Sequence, residues 1–233
     1  MSAHRFRYAG VFVTGTDTGV GKTRVCVGLM ETLKKKGVQV SAMKPVATGC
    51  DPAEDGLRNE DAVLLRAHAS VSVDYDLVNP YAFTAPVSPH IAATQAGREI
   101  CLASIVRIFN LLREQSEFVI VEGVGGWEVP LNTMERVSDL ARILGLPVLL
   151  VVGLRLGCLN HALLTSAAIR ASGCELIGWV GNRIDPDFIC LDENMATLRT
   201  RIPAPVVGLV PFGRELDAKK LAESLALDHW MTH

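Results

Sequence analysis

The chain has 233 residues, a formal net charge of −2 and 49% hydrophobic residues, enough for one large α/β domain with a substantial core. So small a net charge offers no electrostatic footprint for nucleic acid or an anionic membrane, and neither partner is expected. Six cysteines without a C-x-x-C pair argue against a zinc site or a disulfide framework, and positions 1–8 lack the apolar core of a signal peptide. No apolar run approaches the length of a membrane span, so a soluble, cytoplasmic protein is expected.

Taken in chain order, the first element is an uncharged, β-prone run at Val11, Phe12 and Val13, followed by the glycine-rich segment Gly15-Thr16-Asp17-Thr18-Gly19-Val20-Gly21-Lys22-Thr23. Beyond it Val25, Val27, Leu29, Met30 and Leu33 recur at helical spacing. Strand, glycine loop and helix in that order read as a phosphate cradle. Glycines let backbone N–H groups approach a polyphosphate, and the helix N-terminus adds partial positive charge. Lys22 is placed to reach the β/γ-phosphates and Thr23 to put a hydroxyl on Mg²⁺. The usual loop has four residues between its first glycine and the Gly-Lys pair; here five separate Gly15 from Gly21, a longer variant.

The helix is expected to run to about Lys36, where three lysines suit its negative pole and Gly37 suits the left-handed C′ position. A strand over 38–43 then delivers Lys44 and Pro45 to the edge of an open α/β sheet where ligands collect. Lys44 is either a solvated surface charge or a contact for transferred phosphate or carboxylate charge. Positions 47–59, rich in Gly, Asp, Pro and Thr, read as a long loop over that edge. Asn59-Glu60-Asp61 opens an apolar pattern, so Asp61 either supports a helix start or serves Mg²⁺. The proline-rich stretch 79–89 is expected to be a substrate-side loop leading into a short helix over 91–96.

A helix over 102–112 precedes the buried strand 118–121 and then Glu122-Gly123-Val124-Gly125-Gly126. An acid directly after four apolar residues resembles a Walker B arrangement, with Glu in place of the usual Asp; its role there is to hold Mg²⁺ opposite the P-loop threonine. The alternative is an ordinary strand-end acid. Next come a helix over 137–144, a strand over 147–152, a loop over 153–160 and a helix starting near His161. Asn160 is either that helix's N-cap or, with Gly157, part of a carboxylate site at its N-terminus. A strand over 176–181 ends in Asn182 and Arg183, and one over 206–210 ends in Pro211-Phe212-Gly213. The Asn182 amide has the donor and acceptor spacing to pair with an adenine edge; Phe212 walls the base or belongs to the core. Positions 216–230 close the chain as one or two helices. The sum is a three-layer α/β P-loop NTPase fold, its mainly parallel sheet flanked by helices, in a single domain over 1–233.

Seven ordered segments, 14–23 (TGTDTGVGKT), 43–49 (MKPVATG), 79–81 (NPY), 88–90 (SPH), 121–127 (VEGVGGW), 156–162 (LGCLNHA) and 178–182 (GWVGN), closely resemble the dethiobiotin synthetase family over nearly the whole chain. The resemblance implies a homodimer that joins 7,8-diaminononanoate, CO₂ and MgATP into dethiobiotin, ADP and phosphate, with the active site at the subunit interface. It implies catalytic roles for Lys22, Lys44 and Thr18 and Mg²⁺ ligation by Thr23, Asp61 and Glu122. Gly19, Val20, Gly21, Lys22, Thr23 and Arg24 would surround the phosphates with Glu122, Gly123, Val124 and Gly125, while Asn182, Arg183, Pro211, Phe212 and Gly213 would meet the base. Thr18 and Thr48 would contact the diamine or carbamate end, and Gly157, Cys158, Leu159 and Asn160 of the other subunit would take the substrate carboxylate. Some relatives carry glutamate where this chain has Gly19 and serine where it has Thr48, and relatives differ in charge at Arg183. The rival readings are a partitioning-type switch ATPase, whose loop usually carries an early second lysine absent here, and a corrinoid amide synthase, for whose glutaminase domain the chain has no room.

Overall fold

The computed structural model describes residues 7–213 and 217–230, so positions 1–6 and residue 216 of the expected closing helix lie outside the described residues. β1 (Gly10–Gly15) feeds α1 (Lys22–Lys35), then β2 (Val40–Met43), β3 (Val46–Thr48), β4 (Asp51–Ala53) and β5 (Gly56–Arg58). α2 (Glu60–His68), α3 (Tyr75–Val78), β6 (Tyr81–Phe83), α4 (Pro89–Gln95), α5 (Leu102–Gln115) and β7 (Phe118–Glu122) follow. The remainder is α6 (Val137–Leu144), β8 (Val148–Leu154), α7 (Cys158–Ala171), β9 (Leu176–Arg183), α8 (Leu191–Arg201), β10 (Val206–Val210), α9 (Ala218–Glu223) and a 3₁₀ turn at Asp228–Trp230.

Six strands form one sheet in the order β10-β9-β8-β1-β7-β2, with every neighbouring pair parallel. β1 is buried along its whole length because helices cover both faces. Its side chains alternate between two cores: Phe12 belongs to the one that includes residues of α5, α6, α7 and α8, whereas Val11 and Val13 belong to the one that includes residues of α1, Leu65 of α2, and α9. The expected three-layer P-loop architecture is therefore present. Gly37 takes the left-handed conformation and donates to the Lys34 carbonyl, ending α1 as expected.

Three expectations require correction. The stretch 47–59 is not a structureless loop: β3 pairs with β6, and β4 and β5 form an exposed antiparallel hairpin. These short segments are held by backbone pairing with partners that a periodicity reading does not see. α7 begins at Cys158 instead of near His161, with Gly157 as N-cap in the left-handed region at φ 92, so Asn160 is inside the helix and not its cap. Gly157 can turn the chain directly out of β8, which makes three further loop residues unnecessary. α3 and α8 were not anticipated; α8 buries only Met195 and Leu198, too few apolar positions to make a clear helical stripe. Among the described residues no helix is long and apolar enough to cross a membrane, and all six cysteines are free.

Candidate active site

The C-terminal ends of β1, β2 and β7 converge because these strands are neighbours in the sheet. They open on a cleft of about 390 Å³ lined on one side by the P-loop and on the other by Lys44, Thr48, Asp61 and Glu122. Gly21, at φ 87, occupies the turn into α1, and a Cβ there would lie 2.1 Å from Asn182 Nδ2. Only glycine meets both demands. Asn182 explains the crowding: it is 1% exposed and its Nδ2 donates to the Val20 carbonyl at 2.8 Å, propping the loop from below. Its Oδ1 is buried without a partner among the described residues.

Lys22 is 6% exposed, and its Nζ donates to the backbone carbonyls of Asp17 at 3.0 Å and Gly125 at 2.7 Å. The ammonium thus spans the loop and the glycines after β7. Burial pushes its pKa down to about 8, with nearby Glu122 opposing the shift. Lys44 is 5% exposed and pairs with Asp61 Oδ2 at 2.9 Å and with Glu122 Oε1. Burial would lower its pKa, but Glu122 and Asp61 outweigh burial and hold the ammonium above the ordinary lysine range. The converse holds for Asp61, where burial raises the pKa but Lys44 and Thr23 leave it below the usual carboxylate range.

Glu122 ends β7 almost fully buried, and its Oε1 also accepts the Thr23 hydroxyl at 3.0 Å. Its second oxygen, Oε2, is buried and has no partner among the described residues. A buried carboxylate oxygen without a donor carries a desolvation cost unless a cation meets it. One hydroxyl and two carboxylates form the oxygen donor set that Mg²⁺ takes alongside phosphates and water. The site therefore fits that ion.

Most of the expected phosphate-side residues line this cleft: Thr18, Gly19, Gly21, Lys22, Thr23, Arg24, Val124 and Gly125 are all present. Val20 and Gly123 lie behind the wall, Val20 under the Asn182 amide and Gly123 donating to the Val13 carbonyl at 2.9 Å. Arg183, Pro211 and Phe212 line a second cleft of about 650 Å³ with Pro186, Leu191 and Leu209, separate from the buried Asn182. Gly213 is not in its wall. Gly157, Cys158, Leu159 and Asn160 line neither cleft; the preceding Arg155 is tied to the P-loop by an ion pair with Asp17 Oδ2 at 2.7 Å. Asn59 and Leu64 line the first cleft without having been anticipated, because the helix-start pattern around them explained both residues by itself.

Residues 9–220 match the family described as AAA domain. The chain is 49% identical over 220 residues to the ATP-dependent dethiobiotin synthetase BioD of Pseudomonas aeruginosa, covering 93% of this chain and 95% of that protein. It is 50% identical over 200 residues to the protein of the same name from Cellvibrio japonicus, covering 86% and 88%. The chain belongs to the dethiobiotin synthetase family. A Xanthomonas axonopodis family member agrees at 46% identity over 221 residues, 95% of this chain and 99% of that one. Solved structures place the family among P-loop folds. The MinD cell division protein of Aquifex aeolicus superposes with a TM-score of 0.55 at 15% identity, covering 94% of this chain and 89% of that one. A ParA family ATPase from Chlorobium tepidum gives 0.56 at 12%, covering 94% and 91%. Those likenesses describe the fold alone. The family is an ATP-dependent one.

Proposed function

We propose that this chain, a single-domain cytoplasmic enzyme, joins 7,8-diaminononanoate and CO₂ at the expense of ATP to give dethiobiotin, ADP and phosphate. One substrate amine takes up CO₂ as a carbamate, a carbamate oxygen attacks the γ-phosphorus, and ADP leaves. The second amine then attacks the carbamic-phosphoric anhydride, closing the ureido ring and releasing phosphate. The observation that supports this reading best is the pair of buried lysines, Lys22 and Lys44, lining one cleft with Glu122 between the loops that carry them.

Carbamate and triphosphate are both anionic, so their approach is opposed until positive charge is supplied in a dry site. Lys22 acts from the P-loop and Lys44 from the end of β2. Thr23, Asp61 and Glu122 would hold Mg²⁺, which would supply positive charge against the phosphates; the unpartnered Glu122 Oε2 supports that assignment. Thr18 and Thr48, both in the cleft wall, contact the carbamate end of the diamine. The base side is the second cleft, where Phe212 and Pro211 present an apolar wall and Arg183 presents a polar group, while Asn182 serves the nucleotide from below by holding the Val20 carbonyl of the loop.

The assembly we propose is a homodimer in which Gly157, Cys158, Leu159 and Asn160 serve the partner's cleft. What supports it is that this segment lines neither cleft of its own chain, while the adjoining Leu156 is 91% exposed and Leu164 is 63% exposed. Light scattering tests the dimer: a monomer at working concentration would overturn it. The reaction is tested by ADP release with ATP, Mg²⁺ and bicarbonate, with and without the diamine, and product identified by mass. Diamine-dependent release with dethiobiotin formed is the expected result; release indifferent to the diamine would favour a switch ATPase.

A further inference from the structure

Asn79, the first residue of the 79–81 motif, has no part in the chemistry above and lies outside the reaction cleft. It is nevertheless a buried polar side chain, 3% exposed, with both ends of its amide engaged. Nδ2 donates to the Lys44 carbonyl at 2.7 Å, and Oδ1 accepts from the Tyr75 hydroxyl at 3.2 Å. The same Tyr75 oxygen accepts the backbone N–H of Asn59 at 2.8 Å. The Lys44 N–H donates to the Val78 carbonyl at 2.7 Å, so both backbone polar groups of Lys44 end on α3 and the residue after it.

Asn59 caps α2, whose first turn carries Asp61, and Asp61 pairs with Lys44 Nζ at 2.9 Å. The contacts therefore close a ring. On the cleft side a side-chain ion pair joins Lys44 to Asp61; behind it, the sequence Lys44 carbonyl, Asn79 amide, Tyr75 hydroxyl, Asn59 N–H joins the same two segments. The Arg58 guanidinium stacks 4.0 Å from the Tyr75 ring centroid and covers the tyrosine from outside. An ion pair by itself sets only the distance between two flexible side-chain tips. Hydrogen bonds to the backbone on both sides set where their Cα atoms stand, which decides where the lysine tip goes when phosphate competes for it.

We infer that Asn79, seated by Tyr75, is a positioning residue that fixes the backbone of Lys44 against the start of α2 and so aims the Lys44 ammonium into the reaction cleft. The inference rests on the proposed role of Lys44. Without the amide, a buried carbonyl loses its donor and a buried hydroxyl its acceptor, and the Lys44 segment is free to relax. Displacement of a charge-stabilising group by about 1 Å costs on the order of 10²-fold in rate.

The test is a double-substitution cycle read as dethiobiotin formed per active site, alongside ADP binding as a measure of folded sites. Asn79→Ala is expected to lower kcat about ten- to hundred-fold, with one ADP site per chain and ADP affinity within about two-fold of the unsubstituted enzyme. In a Lys44→Ala background, adding Asn79→Ala is expected to cost less than about two-fold more, because the group being positioned is already gone. A merely structural amide would lower kcat by the same factor in both backgrounds, and that result would overturn the inference. So would an Asn79→Ala enzyme within about two-fold of full kcat. Should Asn79→Ala not fold, Tyr75→Phe removes one oxygen and is expected to lower kcat about three- to ten-fold, again with no further loss in the Lys44→Ala background. Full turnover by Lys44→Ala alone is a distinguishable failure: it would overturn the role of Lys44 itself, whatever Asn79 does.

Discussion

The two clefts at the carboxyl edge of the sheet are built on different principles. In the cleft beside the P-loop, Lys22, Lys44 and Glu122 are all nearly inaccessible to solvent and each is fastened by at least one hydrogen bond or ion pair within the protein. In the second cleft, proposed for the base, Phe212 is 42% exposed and the Arg183 guanidinium, among the described residues, bonds to carbonyls of its own loop, those of Asp185 and Pro186. A site that stabilises developing charge must be organised in advance, because reorganisation during the reaction would consume the stabilisation it provides. A site that binds a flat, largely apolar base needs only a wall and tolerates adjustment. Substitutions in the first cleft should therefore change rate, and those in the second should change affinity.

The largest effect expected is from Lys44→Ala and Lys22→Ala, each lowering kcat by about 10²-fold or more, equivalent to roughly 3 kcal/mol of barrier. Circular dichroism should show the fold retained. Near-full kcat in either variant would remove the contrast between the clefts. Glu122→Gln comes next: it leaves the shape but halves the carboxylate set, and Mn²⁺ titration in the presence of ADP should show metal affinity weakened by about ten-fold or more. Metal binding unaffected by Glu122→Gln would assign the ion elsewhere.

Acidity provides a smaller and continuous effect. The Lys22 pKa is depressed to about 8 by burial, so the ammonium is charged below that pH and neutral above it. Phosphate favours the charged form and raises the pKa in the complex, so free protein must take up a proton to bind above pH 8. ADP affinity measured without metal is therefore expected to be flat below about pH 8 and to fall as pH rises through it, by up to about ten-fold per unit. A flat profile to pH 10 would mean that Lys22 keeps its proton in the free enzyme. The smallest effect is expected from Phe212→Ala, with KM for ATP raised about two- to five-fold and kcat within about two-fold. A kcat loss as large as that of the lysine variants would make the second cleft as organised as the first.

The phosphate loop was legible because its requirements are local. A left-handed Gly21 at the entrance to a helix and a lysine beside it are properties of a few consecutive residues, and the β-prone run before them marks the strand. The uninterrupted apolar stretch of β7 similarly singled out Glu122 as the acid in a Walker B-like position. The hairpin of β4 and β5 was not legible, because its residues are exposed or half-exposed and alternate nothing; only backbone pairing makes them strands. Asn79 was visible as part of a motif, but its work was not: Tyr75 is only four residues away, whereas Lys44, the partner that connects it to the cleft, is 35 residues away.

From the sequence alone came the α/β class, the phosphate loop, the acid that closes β7 and the family resemblance, all carried by residue types at short spacing. Tertiary structure decided which strand stands beside which. By placing β7 between β1 and β2, it brings Glu122 to Thr23 across 99 residues and to Lys44 across 78. It likewise put Arg183, Pro211 and Phe212 in a cleft of their own, apart from Asn182, and ran the support of Lys44 through α3. The reason is physical: strand pairing uses backbone groups that are the same in every residue, so strand order follows from how side chains of the whole chain pack on the two faces of the sheet.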